Sequence, residues 1–241
     1  MQPRGHTVTA FDAELAALHG HVARMGELAA SQLHDAVAAL AARDEGAAAA
    51  VIARDAEIDA GQQAVEALVL RVLALRQPMA RDLREVVAAL KVANNLERIG
   101  DFARNCAKRT MALSQLPPVG PLKSLERMAD TTGDMVRSVV QAYARHDIET
   151  ALAVRARDAE VDALYTGLFR ELLTYMMEAP RHITPCTHLL FVAKNIERIG
   201  DHATNIAELV CFLVRGRPPE EERAKDDRSS FTVVSPGTRK T

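Results

Sequence analysis

One eleven-residue pattern occurs twice in this chain. Asn95-Leu-Glu97-Arg98-Ile-Gly100-Asp101-x-Ala103-x-Asn105 returns as Asn195-Ile-Glu197-Arg198-Ile-Gly200-Asp201-x-Ala203-x-Asn205, offset by 100 residues. Upstream of each, Arg54-Asp55-Ala-Glu57-Ile-Asp59 returns as Arg157-Asp158-Ala-Glu160-Val-Asp162, offset by 103 residues. Two patterns returning in the same order at nearly the same distance mark an internal duplication. The chain therefore has to fold as two copies of one unit, each of roughly half its length.

The unit is helical. Apolar residues recur at three and four, as in Leu15, Leu18, Val22, Met25, Leu28, Leu33, Val37 and Leu40. Only 4% of residues are aromatic, none is Trp, and alanine dominates. That balance disfavours sheets, which draw on aromatic and β-branched side chains, and favours helices, where alanine costs least. The first helix is expected to be capped near Thr9, with Asp12 and Glu14 suiting its positive end. The second is expected from about Ala47 to Leu75, stopped by Gln77-Pro78, and the third from Met79 to Leu113. Leu116-Pro117-Pro118-Val119-Gly120-Pro121 is the richest Pro/Gly stretch of the body and marks the internal boundary. Helices at about Leu122–Arg145, Ile148–Met177 and His182–Val214 complete the second copy. The reading is all-α: two tandem three-helix bundles over residues 7–115 and 121–215. The charged, aperiodic stretch 216–241 is read as a mobile tail outside the fold.

Several functions are excluded on this basis. Acids number 32 and bases 30, so no basic nucleic-acid footprint exists. No run of about 18 apolar residues spans a membrane. The N-terminus lacks the apolar core of a signal peptide, and Cys106, Cys186 and Cys211 are odd in number and set among apolar neighbours. Free thiols in a reducing compartment, the cytoplasm, follow from that usage.

Each copy carries two acidic pairs at i, i+4: Asp55/Asp59 with Glu97/Asp101, and Asp158/Asp162 with Glu197/Asp201. On a helix this spacing puts both carboxylates on one face, where they repel by some tenths of a kcal/mol. The pairs are centred on residues 57 and 99, midway between which lies Pro78 in the expected turn. In the second copy the midpoint falls between Ala179 and Pro180. Residues equidistant from the turn of an antiparallel hairpin lie side by side. Each copy therefore gathers four carboxylates at one level of two adjacent helices, roughly 30 Å from the turn. Asn105 and Asn205 continue the stripe and offer amide oxygens. Arg54, Arg98, Arg157 and Arg198 are rotated about 100° away from the acids, so they neutralise the clusters only in part. An oxygen-preferring metal ion between the helices would supply the rest. Gly100 and Gly200, inside helices at a cost of about 1 kcal/mol each, are expected to permit close approach there. The alternative to a metal site is an acidic, solvated helix face on a plain helical scaffold. His202 directly follows Asp201 and is read as a surface or interface residue rather than a ligand.

These motifs resemble the PhoU family, over residues 7–215. The resemblance rests on the doubled E-R-I-G-D helix with its upstream D-x-E-[IV]-D, and on an E/D-x-x-x-D motif twice per repeat. It implies metal ligation at Asp55, Asp59, Glu97, Asp101, Asp158, Asp162, Glu197 and Asp201. The cofactor it implies is a multinuclear cluster of iron, zinc, manganese or magnesium. It also implies a cytoplasmic homodimer that acts beside the ATPase of a phosphate ABC transporter. Such a protein couples that transporter to a membrane sensor histidine kinase and represses phosphate-starvation genes when phosphate is plentiful. No catalytic reaction is implied. Two alternatives stand beside this: an accessory protein of a phosphate permease with the same fold, and a carboxylate-bridged di-iron enzyme. The second is disfavoured because no Glu is followed three residues later by His. G-x-S-x-G, P-loop and G-x-G-x-x-G motifs are absent from the sequence.

Overall fold

The computed structural model describes residues 4–219. Six helices follow one another: α1 (Arg4–Ala42), α2 (Glu45–Arg76), α3 (Ala80–Leu113), α4 (Leu122–Arg145), α5 (Ile148–Glu178) and α6 (Ile183–Arg215). A 3-10 turn at Pro180–His182 precedes α6, and no strand occurs among the described residues. The tail expected to be mobile lies outside the described residues from position 220 onward. The first helix starts at Arg4 and runs through Thr9, so no cap forms at Thr9. Nothing between Arg4 and Thr9 breaks a helix, and propagation adds one hydrogen bond per residue once a turn exists.

The turns of the two copies are built alike. Arg43 and His146, at equivalent positions, adopt left-handed φ values of 57° and 54° and end α1 and α4. Asp44 and Asp147 then cap α2 and α5. Asp44 accepts from the Ala47 amide at 2.9 Å, and Asp147 from the Thr150 amide at 3.1 Å and the Thr150 hydroxyl at 2.6 Å. These bonds satisfy amides that the first helical turn leaves without partners.

The copies are not separate bundles. Helix α2 packs on α1 and α3, and α5 packs on α4, α6 and the 3-10 turn, but α3 lies along α6 and α1 against α4. Pairings between α3 and α6 run antiparallel: Cys106 meets Val192, Arg109 meets His188 and Phe191, and Phe102 meets His202. Gly26 on α1 sets the closeness of the other pair, because a Cβ there would fall 2.5 Å from Val140 Cγ2 of α4. One continuous core joins both copies, and Cys106, Cys186 and Cys211 are buried free thiols within it. Burial pushes the Cys106 thiol up to about 12, which leaves it inert as a nucleophile.

Candidate functional site

The outer helices show why the acids stand where they do. The buried stripe of α2 runs Ala48, Val51, Asp55, Ile58, Val65, Val69 and Val72, and that of α5 includes Ala151, Val154, Asp158 and Val161. Asp55 and Asp158 occupy core positions of otherwise apolar stripes, 3% and 1% exposed. Buried carboxylates are retained only where something compensates their charge.

In the first copy that compensation is visible. Asp55 accepts from Gln32 Nε2 at 2.9 Å and is paired with Arg104, whose other nitrogen stands 2.5 Å from Asp101. Arg98 lies 3.2 Å from Asp101 and 3.5 Å from Glu97, at an exposed position. Arg54 turns outward to Asp35 of α1 at 2.5 Å. The countercharge expected from Arg54 and Arg98 thus comes mainly from Arg104. Desolvation, then the neighbouring Asp55 charge, raises the Asp59 carboxyl above its ordinary range. Desolvation and Asp101 do the same to Glu97. The four acids of α2 and α3 therefore share one electrostatic neighbourhood at one level of the helix pair.

The second copy is drier. Asp158, Asp162 and Glu197 are 1%, 2% and 6% exposed, with Asp201 half-buried. Thr204, where the first copy has Arg104, donates from its hydroxyl to the Gly200 carbonyl at 3.1 Å and lies 3.4 Å from Asp158 Oδ1. Lys194 Nζ reaches Glu197 at 3.0 Å and sits 4.9 Å above the Tyr165 ring. Residues 104 and 204 face the buried aspartate of the neighbouring helix. Asn105 is half-buried and Asn205 exposed, one position further round.

The glycines differ as well. A Cβ at Gly100 would meet Ile58 Cδ1 at 2.8 Å and Asp55 Oδ1 at 3.3 Å. At Gly200 the nearest atoms would be Val161 Cγ1 at 3.5 Å and Asp158 Oδ1 at 3.7 Å, an ordinary contact. Close approach is therefore required in the first copy and not in the second.

Both E-R-I-G-D segments meet at the seam. His202 Nδ1 donates to Asn95 Oδ1 of the first copy at 2.8 Å, and its ring lies 5.6 Å from that of Phe102. Since Asn95 offers a carbonyl oxygen there, Nδ1 carries the proton and donates. Burial lowers the His202 pKa below its usual value. An open cavity of about 600 Å³ beside the first cluster is lined by Asp59, Gln62, Asn94, Glu97 and, from the second copy, His202. His202 is thus an interface residue, as its position after Asp201 suggested, and the interface is internal.

The donor set in each copy is carboxylate oxygen, with a buried aspartate that forces the acids inward. That chemistry suits a hard or borderline cation, and the like-charge crowding at Asp59 and Glu97 fits a site that gains from one. The fold and the paired clusters define a class: a duplicated six-helix protein with one acid cluster per repeat. A model of the PhoU domain matches residues 22–110 and again 125–210. The chain belongs to the PhoU family. It is 50% identical over 223 residues to the phosphate-specific transport system accessory protein PhoU homolog of Caulobacter vibrioides, covering 92% of this chain and 97% of the relative. The homolog of Xylella fastidiosa is 49% identical over 225 residues, covering 93% and 95%. The crystal structure of PhoU from Pseudomonas aeruginosa superposes with a TM-score of 0.82 at 40% identity, over 86% of this chain and 99% of that one. The phosphate transport system regulatory protein PhoU from Streptococcus pneumoniae gives 0.79 at 28% identity, over 88% and 100%. These relatives are named as accessory or regulatory proteins, and none of the names is that of an enzyme.

Proposed function

We propose that this protein is a metal-binding regulator of phosphate uptake and phosphate-starvation signalling. It serves a phosphate transporter from the cytoplasmic side and forms a homodimer. The observation that carries the metal reading is the pressing together of four carboxylates on two helices in each copy, with Asp55 and Asp158 at core positions. Asp55, Asp59, Glu97 and Asp101 would hold one ion or cluster, and Asp158, Asp162, Glu197 and Asp201 the other. Such ions supply charge neutralisation between the helices of each copy. The chain's own part is to position the oxygens, Asp55 through Gln32 and Arg104, Asp158 beside Thr204. The names of the relatives, as accessory and regulatory proteins of phosphate transport, support the regulatory reading, in which the bundle docks on the transporter's ATPase and on a sensor kinase. No helix is long and apolar enough to cross a membrane among the described residues.

Two measurements test this. Elemental analysis of the purified protein is expected to find metal that falls by the first copy's share in Glu97→Ala/Asp101→Ala; unchanged stoichiometry would sink the metal reading. Deletion of the protein is expected to derepress a reporter for phosphate-starvation genes in high phosphate. A reporter that stays repressed would remove the regulatory reading.

A further inference from the structure

About 18 Å along α3 from Glu97, toward that helix's N-terminus, lies a cluster of different chemistry. Glu85 of α3, 6% exposed, faces His19 of α1 and His146, the residue that ends α4. His146 Nε2 stands 3.1 and 3.2 Å from the two carboxylate oxygens, and His19 Nε2 stands 3.5 Å from Oε2. One ligand atom from each residue lies within 4.8 Å of the others. In a tetrahedral zinc site with bonds of about 2.0–2.1 Å, ligand atoms stand roughly 3.3 Å apart. The two His–Glu spacings bracket that value, and the two histidine nitrogens lie within 4.8 Å of each other.

A hydrogen-bonded clamp accounts for only part of this arrangement. His146 reaches both carboxylate oxygens, and His19 stands further off, 3.5 Å from one of them. The buried Nε2 of His19 then has no hydrogen bond within normal range, and neither does the Tyr143 hydroxyl. Tyr143 is 1% exposed and stands edge-on to His19, with ring centroids 5.4 Å apart. Its hydroxyl also feels the Glu85 charge, so it lies on the cluster's side. Buried polar atoms without partners are rare and call for an explanation. Arg81 approaches Glu85 only to 3.9 Å and is largely exposed, free to swing into solvent.

We propose that His19, Glu85 and His146 form a zinc-type divalent metal site, distinct in ligand chemistry from the carboxylate clusters. Two imidazole nitrogens and one carboxylate are a set that zinc takes with a fourth position left for water or a nearby oxygen. The site draws one residue from each of α1 and α3 and one from the α4–α5 turn, so an ion here ties the second copy's turn to the first copy's helices.

The test titrates full-length protein with Zn²⁺ in a calorimeter, with Co²⁺ absorption and histidine side-chain NMR as parallel readouts. His19→Ala and His146→Ala, both at half-buried positions, are expected to weaken one Zn²⁺ equivalent at least tenfold. Glu97→Ala/Asp101→Ala is expected to leave that equivalent intact. Co²⁺ is expected to broaden the His19 and His146 imidazole signals and to give the visible absorption of a four-coordinate ion. The proposal is overturned if both histidine variants bind Zn²⁺ within tenfold of wild type, or if Co²⁺ leaves both imidazoles unshifted. Because the carboxylate variants read the other clusters, failure here is separable from failure of the metal reading above.

Discussion

The two acid clusters share backbone, spacing and four matched carboxylates, yet balance their charge by different means. The first places an arginine between Asp55 and Asp101. The second places a threonine there, buries three of its four acids and brings a lysine from position 194 to Glu197. The first cluster carries its own guanidinium, whereas the second is lined at that position by a hydroxyl. Duplicated geometry therefore does not imply a duplicated charge balance.

The largest effect is expected from Arg104→Thr, which gives the first cluster the second one's residue. Removing one partner of a buried ion pair costs about 3–5 kcal/mol. Arg104 is a quarter exposed, so solvent screening reduces this to about 2 kcal/mol. Thermal unfolding in chelator is expected to show that loss, and added metal is expected to restore more stability to the variant than to wild type. An equal response to metal in both would show that Arg104 does not compete with the ion.

A middle-sized difference separates the glycines. Gly200→Ala meets only ordinary contacts and gains helix propensity, so it is expected to stabilise by up to about 1 kcal/mol. Gly100→Ala makes the same gain but drives a methyl into Ile58 in a full core, which costs about 1–3 kcal/mol. Melting temperatures are expected to rank Gly200→Ala above wild type and Gly100→Ala at or below it. The reverse order would mean that the second copy is the tighter of the two.

The smallest effect concerns the caps. Bonds from the Thr150 hydroxyl and amide lower the Asp147 carboxyl below its ordinary value. Its folded value is depressed, so its stabilisation is present above the ordinary carboxylate range and lost as pH falls through the depressed value. Asp147→Asn, which keeps the cap but not the charge, is expected to flatten the acid limb of a stability–pH curve slightly. An unchanged acid limb would show that the cap acts without its charge.

Much of this was legible in the sequence, and the missing parts share a cause. The repeat, the six helices and the level at which Asp59 meets Glu97 and Asp55 meets Asp101 follow from period and spacing alone. The counterion does not: Arg104 reads as a mere mismatch with Thr204 until α2 and α3 are packed. A visible signal existed, since Asp55 and Asp158 interrupt apolar stripes and so had to be buried. The seam was less accessible. No local pattern says that α3 lies along α6, so His202 beside Asn95 could not be anticipated. His19, Glu85 and His146 carry no motif at all, because two helices of the first copy and the α4–α5 turn of the second bring them together.

The seam also says what kind of object this chain is. Helix α3 touches its own counterpart α6, and α1 touches its counterpart α4, which is the like-with-like contact of a two-fold dimer. The two halves of one chain are arranged like the subunits of a two-fold dimer, with residues 114–121 serving as the tether. Two fused halves need not stay identical, and that freedom is what let position 104 and position 204 part ways. Cut at the tether, the first half would carry one naked apolar face and would be expected to recover it by pairing with a second copy of itself.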